Sequence, residues 1–440
     1  MSYLNDVLEN IKAEKDGKFY EAVSEFFDSL KEYIDENEEF LKKNAILEKL
    51  TTPDRIIQFK VVWNDDNGNE RVNNGYRVQF NNSLGPYKGG LRFAENVNVD
   101  TFKFLGFEQI FKNALTGQPI GGAKGGSDFT SKGKSENEIK RFCQSFMSEL
   151  FKYIGPYQDV PAGDIGVSSR EIGYLFGQYK KLTNQFNGTL TGKNPLYGGL
   201  NGRSEATGYG LLYITKYLLE NRGLSLEGKT VVVSGAGNVA SFAIKKATEL
   251  GAKVLTFSNS KGYVLDEEGI DVDLFFEVSK NSNNIVKDYA EKRSSAKYFE
   301  SEKPWKVKAD IVLPCATENE INREDAKTIV SNGTICIAEG ANMPTDNEAK
   351  EVIFNKKDLL YIPAKAANCG GVSSSLFEMS QDSGYVYWSS SMSDKQLDRT
   401  MKNLADDMEK VVKETGKDYQ YAANYLSFKK VVKAIVEQGL

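Results

Sequence analysis

The sequence predicts an α/β fold in two domains, and three features carry the prediction. The chain has 440 residues, more than one ordinary core accommodates. A lysine- and glycine-rich segment from Gly85 to Asp164 lies among both strand-like and helix-like patterns. A β-branched run at 229–233 then leads through a glycine turn into a helix and a further strand, the alternation of a parallel sheet.

Composition narrows the class. Hydrophobic residues make up 40% and charged residues 27%, as in ordinary globular proteins. A net charge of −5 speaks against nucleic-acid binding through bulk charge. No apolar run has the length of a membrane span. The opening Met1-Ser-Tyr-Leu-Asn-Asp has no basic region followed by an apolar block, so no signal peptide is expected. The 4 cysteines, Cys143, Cys315, Cys336 and Cys369, are widely separated and lack metal-ligand spacing. Reduced thiols, a cytoplasmic location and no metal are expected. There are 0 histidines, so proton transfer near neutral pH falls to Lys, Asp, Glu, Tyr or Cys.

The elements follow in order. Residues 3–48 place apolar side chains at helical spacing (Phe19, Ala22, Phe26, Phe27, Leu30, Tyr33, Ile34) and predict two or three amphipathic helices. Pro53 ends that pattern. Ile56–Trp63 alternates as a strand, Asp66-Asn67-Gly68 marks a hairpin, and Val72–Phe80 returns. Helices are predicted over 100–115 and 136–153. The first places Gln109 and Lys112 on neighbouring turns of one face. Residues 192–210, rich in Gly and Asn, read as a hinge between domains. A helix is predicted over 208–219. The strand–turn–helix–strand unit occupies 229–257, and strand-then-turn units recur at 309–317 and 336–344. Residues 364–381 and 395–439 read as helical.

Within the lysine segment stand Gly85-Pro-Tyr-Lys88-Gly89-Gly90, Gly121-Gly-Ala-Lys124-Gly-Gly126 and Pro161-Ala-Gly-Asp164. Glycines beside a lysine remove neighbouring side chains and let backbone approach a ligand. Lys88, Lys124 and Lys112 therefore suggest cations aimed at a small anion, with a carboxylate at Asp164. Lysines crowded in an apolar site repel one another's protons, and desolvation acts in the same direction. A depressed lysine is then the best available base.

The second signature is Gly235-Ala-Gly237-Asn-Val-Ala240, set between a strand and a helix. That is the Rossmann dinucleotide fingerprint, with Gly235 for the tight turn, Gly237 for close approach to the pyrophosphate, and Ala240 for the third glycine. An NAD site usually carries an acidic residue at the end of the next strand. Here Ser258-Asn259-Ser260-Lys261 offers donors and a cation instead. NADP is preferred, with NAD as the alternative.

The segments 85–93, 103–109, 121–128 and 159–166 resemble the hexameric glutamate dehydrogenases, a similarity that runs from near Leu50 to the C-terminus. It implies a substrate-binding and oligomerisation domain at 1–197 plus 417–440, a Rossmann-type domain at 198–416, and a cleft between them. Lys88 would hold the substrate's side-chain carboxylate with Ser375 and Thr191. Lys112 and Gln109 would hold the α-carboxylate, with Gly89, Gly90, Arg203 and Val372 completing the substrate site. Lys124 would activate water and Asp164 would shuttle protons. Thr207, Asn238, Val239, Ala316, Thr317, Asn342 and Asn368 would join the glycine turn and residues 258–261 around the cofactor, and Cys315 would be a packing residue. Two departures from the family stand out: Ala94, where a histidine is usual, and Asn201, Gly202 and Ser204 around Arg203.

The implied activity is reversible oxidative deamination of L-glutamate to 2-oxoglutarate and ammonium, in a homohexamer. Dehydrogenation of a branched or aromatic amino acid is the nearest alternative. A catalytically silent nucleotide-binding oligomer is the other.

Overall fold

The structure is a computed structural model that describes residues 2–13, 17–280 and 282–440. It separates into two compact units. The first comprises Met1–Arg203, Val372–Ser393 and Asn424–Leu440, and the second Ser204–Gly371 and Asp394–Ala423. Residues 372–393 thus fall in the first unit, although they lie inside the 198–416 span expected for the second domain. The reason is a set of buried polar bonds. Lys193 Nζ donates to Glu378 and Asp382, and the Gln381 amide donates to the carbonyls of Gly198 and Gly199.

The first unit is built on a five-stranded sheet in the order β1-β2-β4-β3-β5. Its strands are β1 (Arg55–Asn64), β2 (Glu70–Asn81), β3 (Tyr87–Phe93), β4 (Gly122–Ser127) and β5 (Asp159–Gly163). The expected hairpin joins β1 and β2, and Asp65 stabilises it by accepting from the Asn67 and Asn69 N–H groups. β2 pairs antiparallel with β4, whereas β4, β3 and β5 run parallel. Both lysine–glycine words are therefore strands, not surface loops. The N-terminal region divides into five described helices, from Tyr3–Ala13 to Ile46–Thr51, more than the two or three expected. The helix Val99–Leu115 lies on β2 and β4, where Phe80 and Phe107 meet edge to face and Phe26 stacks on Phe111. A second core joins Phe93, Phe129, Phe142 and Phe146.

Arg77 crosses the sheet. From β2 it donates to the Gly89 carbonyl of β3 at 3.1 Å and, through Nε and a second nitrogen, to both carboxylate oxygens of Asp159 on β5. Gln79 adds a bond of 2.9 Å to the same carboxylate. Arg77 and Asp159 are both fully buried. A Cβ on Gly125 would stand 2.9 Å from Arg77 Cδ, so this glycine makes room for the crossing.

The second unit holds a parallel sheet in the order β13-β12-β11-β6-β7, formed by β6 (Thr230–Val233), β7 (Lys253–Val254), β11 (Ile311–Leu313), β12 (Cys336–Ala338) and β13 (Leu360–Ile362). The strand expected at 253–257 is divided. Two residues pair with β6, and the chain then enters a separate antiparallel sheet of β8 (Thr256–Asn259), β9 (Gly262–Asp266) and β10 (Ala296–Glu300). The helix Asn238–Glu249 packs tightly on the helix Ala206–Glu220. A Cβ on Gly208 would stand 2.6 Å from the Ala243 nitrogen. Gly208 thus lets the two helices approach closely, and Ala240, at the third position of the fingerprint, is fully buried. The C-terminal helical stretch is two helices, Ser390–Thr415 and Tyr419–Gln438, broken at Gly416 with φ 70°.

Replacing Asp159 by Asn leaves the Arg77 charge buried without its counter-ion. This variant should lose about 3–5 kcal/mol in urea unfolding. The apolar double variant Arg77→Met with Asp159→Leu should recover most of that loss. A single variant as stable as the wild type would show that the pair carries no structural weight.

Candidate active site

Lys88 sits on β3, opposite Val160 of β5 in register. It is 2% exposed and donates through Nζ to Thr191 Oγ1 at 2.8 Å. Burial pushes its pKa down to about 7, and the Arg77 and Arg203 charges push the same way against the pull of Glu378 and Asp159. Lys124, on β4, is 7% exposed, and burial lowers its pKa too, with Asp164 opposing and Arg92 reinforcing. Two lysines are therefore depressed, where the sequence led to an expectation of one.

Asp164 follows β5 and stands between two cations. Its Oδ1 lies 3.4 Å from Lys124 Nζ, and its Oδ2 accepts from Arg92 Nε at 2.7 Å. Burial raises the carboxyl's pKa, but Lys124 and Arg92 more than offset this, and the net shift is downward. Asp164 is thus a carboxylate near neutral pH. Arg92 belongs to a motif the sequence singled out, yet only the fold shows it bonded to this acid.

Gln109 and Lys112 occupy the last turns of the 99–115 helix, and Lys112 is half-buried. Gln109 donates to Asn113 Oδ1 at 2.7 Å, and the Asn113 amide donates to the carbonyls of Lys88 and Gly121. Asn113 ties helix, β3 and the entry to β4 together, and sequence reasoning missed it. Its signal was position alone, one turn beyond Gln109 on the same face. The glycines act differently from expectation. A Cβ on Gly89 would collide with the Ala123 carbonyl of β4 at 1.7 Å, and one on Gly90 would stand 2.8 Å from Asp164 Cβ. Their bareness is demanded by the neighbouring strand and by the acid.

Thr191 lies in a loop folded around a buried ammonium. Lys193 Nζ donates to Leu190 O at 2.6 Å, Glu378 at 2.7 Å and Asp382 at 2.8 Å. Ser375 and Val372 lie on the helix Gly370–Gly384 that carries both acids, and Ser375 is buried. Arg203 keeps a buried Nε with no hydrogen-bond partner among the described residues. Burial lowers its pKa, and Glu378 opposes that.

In the second unit the parallel strands bring their C-terminal ends to one edge, where ligands of such sheets bind. Gly235 has φ +86°, and a Cβ there would stand 2.9 Å from the Cys315 carbonyl. Gly237 precedes the 238–249 helix, and a Cβ on it would meet nothing within 4 Å. Open space at a helix N-terminus suits a pyrophosphate. Asn238 is exposed and donates to Ser204 O at 2.7 Å, Val239 is half-buried beside it, and Thr207 lies in the first turn of the 206–220 helix. Ser258 Oγ accepts from the Gly235 N–H at 2.8 Å, so this hydroxyl supports the glycine turn. Asn259 caps the following turn by accepting from the Lys261 N–H, while Ser260 and Lys261 are exposed.

Ala316 and Thr317 are exposed at the end of β11, where the Ala316 N–H donates to Glu320 at 3.0 Å. Cys315 is buried, its thiol is pushed up by burial, and its Sγ would lie 2.5 Å from a Cβ on Gly340, which makes it a packing residue. Asn368 donates to Asn342 Oδ1 at 2.8 Å, and its own buried Oδ1 has no partner among the described residues. A buried amide acceptor left open fits an N–H donor such as the carboxamide of a nicotinamide. Glu339 braces the Gly340–Asn342 turn by accepting from Tyr361 at 2.6 Å and from the Ala364 N–H at 2.8 Å. No metal-ligating cluster occurs among the described residues.

Fold and site define a two-unit α/β protein with a dinucleotide fingerprint in one unit and buried lysines in the other. Residues 53–181 match the Glu/Leu/Phe/Val dehydrogenase dimerisation domain, and residues 198–439 match the Glutamate/Leucine/Phenylalanine/Valine dehydrogenase domain. The chain belongs to the Glu/Leu/Phe/Val dehydrogenase family. It is 50% identical to an NAD(P)-specific glutamate dehydrogenase of Xylanibacter ruminicola, over 99% of both chains. It is also 50% identical to an NADP-specific glutamate dehydrogenase of Haemophilus influenzae, over 90% of this chain and 89% of that one. The solved structure of Plasmodium falciparum glutamate dehydrogenase 2 superposes with a TM-score of 0.96 at 46% identity, covering 99% of this chain and 96% of that one.

The Lys88 shift predicts a measurable pH effect. An unfolded lysine titrates near 10.5 and the buried one near 7. Protonating it in the folded state therefore costs stability, fully below pH 7, less through pH 7–10.5, and not at all above. Lys88→Leu should raise the melting temperature relative to the wild type most at pH 6.5, with the gap narrowing toward pH 10. A gap independent of pH would contradict the depressed pKa.

Proposed function

We propose that this protein is a glutamate dehydrogenase that catalyses reversible oxidative deamination of L-glutamate to 2-oxoglutarate and ammonium, using NADP with NAD as the alternative. The observation that carries the reading is Lys88, a buried ammonium bonded to a threonine hydroxyl on a strand adjoining that of Lys124. Burying a cation is costly unless an anion meets it. An amino acid with a second carboxylate supplies that anion, whereas a branched or aromatic side chain would leave the ammonium unpaired.

The chain's residues then divide the work. Lys88, with Thr191, Ser375 and Arg203, holds the side-chain carboxylate, and Gln109 and Lys112 hold the α-carboxylate, which fixes the α-carbon. Gly89, Gly90 and Val372 shape the wall of this site. Lys124, whose pKa burial lowers, serves as the base that takes a proton from the water attacking the iminium carbon. In the reverse direction its ammonium polarises the keto oxygen. Asp164, held as a carboxylate by Arg92 and Lys124, accepts a proton from the substrate's amino group and returns it. The nicotinamide supplies the acceptor for the hydride leaving the α-carbon.

Residues 235–239 cradle the pyrophosphate and Ser260 and Lys261 face the 2′-phosphate, with Ser258 and Asn259 supporting that turn. Thr207, Ala316, Thr317, Asn342 and the open Oδ1 of Asn368 receive the nicotinamide side. The first unit serves substrate binding and oligomerisation, and the second dinucleotide binding. A homohexamer fits the family, and a cytoplasmic location fits the four free, buried thiols.

Lys88→Leu should lower kcat/KM for glutamate about a hundredfold or more while leaving the NADP KM near the wild-type value. Unchanged glutamate turnover would refute the role given to Lys88. Parallel assays with NADP⁺ and NAD⁺ test the cofactor. Lys261→Glu should raise the NADP KM about tenfold through charge repulsion and leave the NAD KM nearly unchanged, and equal effects on both would remove Lys261 from the phosphate site.

A further inference from the structure

The helix Gly370–Gly384 carries a second acid–base cluster beside the expected substrate residues. Glu378 lies one turn after Ser375, on neighbouring turns of one face. It is fully buried, and so is the side chain of Lys193. The Glu378 carboxylate accepts from the Gly192 N–H at 3.0 Å, the Lys193 N–H at 3.2 Å and Lys193 Nζ at 2.7 Å. Lys193 Nζ also closes the loop on itself through Leu190 O at 2.6 Å. Thr191 lies inside that closed loop. Its N–H donates to the Pro161 carbonyl of β5 at 3.0 Å, and its hydroxyl accepts from Lys88 at 2.8 Å. One carboxylate therefore fixes the loop that places Thr191, and it stands on the helix that places Ser375. Its charge also attracts Lys88 and Arg203.

We propose that Glu378, clamped by Lys193, is a positioning residue for recognition of the substrate's side-chain carboxylate. It locks the Thr191 loop to the Ser375 helix and so sets where the Lys88 ammonium stands. The inference rests on the glutamate reading. The physical argument is one of donors. The carboxylate makes four contacts here with three N–H donors, the single Gly192 N–H reaching both of its oxygens, and none of the three can accept a hydrogen bond. An amide in the same place must turn its NH₂ toward a Gly192 or Lys193 donor, and the loop opens. The effect falls on substrate recognition. The glycine turn that serves the nucleotide lies in the other unit, and Lys124 and Asp164 share no bond with the cluster.

Steady-state kinetics on Glu378→Gln tests this against glutamate and norvaline, which has the same carbon chain without the second carboxylate. The glutamate KM should rise about tenfold, with kcat within about threefold and the NADP KM unchanged. The preference for glutamate over norvaline should fall by a similar factor. Glu378→Asp, which keeps the charge, should restore part of it. The double variant Glu378→Met with Lys193→Met, made together with Asp382→Asn so that the other acid on Lys193 is not left unpaired, removes the buried charges of the cluster and preserves the fold even where the single variant unfolds. Its glutamate KM should stay raised while its melting temperature returns toward the wild type. A double variant with wild-type glutamate KM makes the pair a folding device only and overturns the inference, as does an unchanged KM in Glu378→Gln. Wild-type protein that turns over no glutamate overturns the proposed function and this inference with it. Wild-type turnover with indifferent variants overturns the inference alone.

Discussion

Arg77 reaches from β2 across the face of the first sheet to Asp159 on β5, touching the Gly89 carbonyl on the way. Both charges are fully buried, so each is tolerable only because the other is present and each guanidinium nitrogen makes a hydrogen bond. The crossing fixes three strands relative to one another. It also forbids a side chain on Gly125, whose Cβ would meet the arginine. The glycine-rich strands look from the sequence like loops made bare for a ligand. Much of their bareness instead serves the packing of strand, arginine and acid.

The same arginine sets the electrostatic tone of the site. Its charge opposes protonation of both Lys88 and Lys124, adding to burial. A chain without histidine thereby obtains one amine, Lys88, with its pKa pushed down to about 7, and a second, Lys124, shifted the same way. Asp164 goes the other way. Burial raises its pKa, and the two cations Lys124 and Arg92 more than offset that. Acid and base are pushed apart by their surroundings rather than by residue type, and so depressed lysines and a firm carboxylate occupy one sheet. In the second unit the carboxylates work on backbone instead. Glu320 holds the Ala316 N–H and Glu339 the Ala364 N–H, each beside the C-terminal end of a parallel strand.

The fold class was legible because its signals are local. Alternation marks β1 and β2, helical spacing marks the 99–115 helix, and the glycine turn at 235–237 follows a β-branched strand. Lys88, Lys124 and Asp164 were legible because the words that hold them are short and continuous. The unit that takes residues 372–393 was not, since Lys193 and Glu378 are distant in sequence and only folding brings them within 2.7 Å. The division between β7 and β8 was equally hidden, because an apolar run at 253–257 satisfies either sheet.

By itself, the sequence determined the two-domain α/β plan, the dinucleotide fingerprint and the identity of the lysines and the acid, because each is written in contiguous residues whose local conformation follows from glycine placement and hydrophobic period. Only the tertiary structure decided the partners: Arg77 with Asp159, Arg92 with Asp164, Asn113 with Lys88, Glu378 with Lys193. A buried charge or amide is settled by whichever group arrives opposite it, and that depends on strand order and helix placement, which no local pattern encodes.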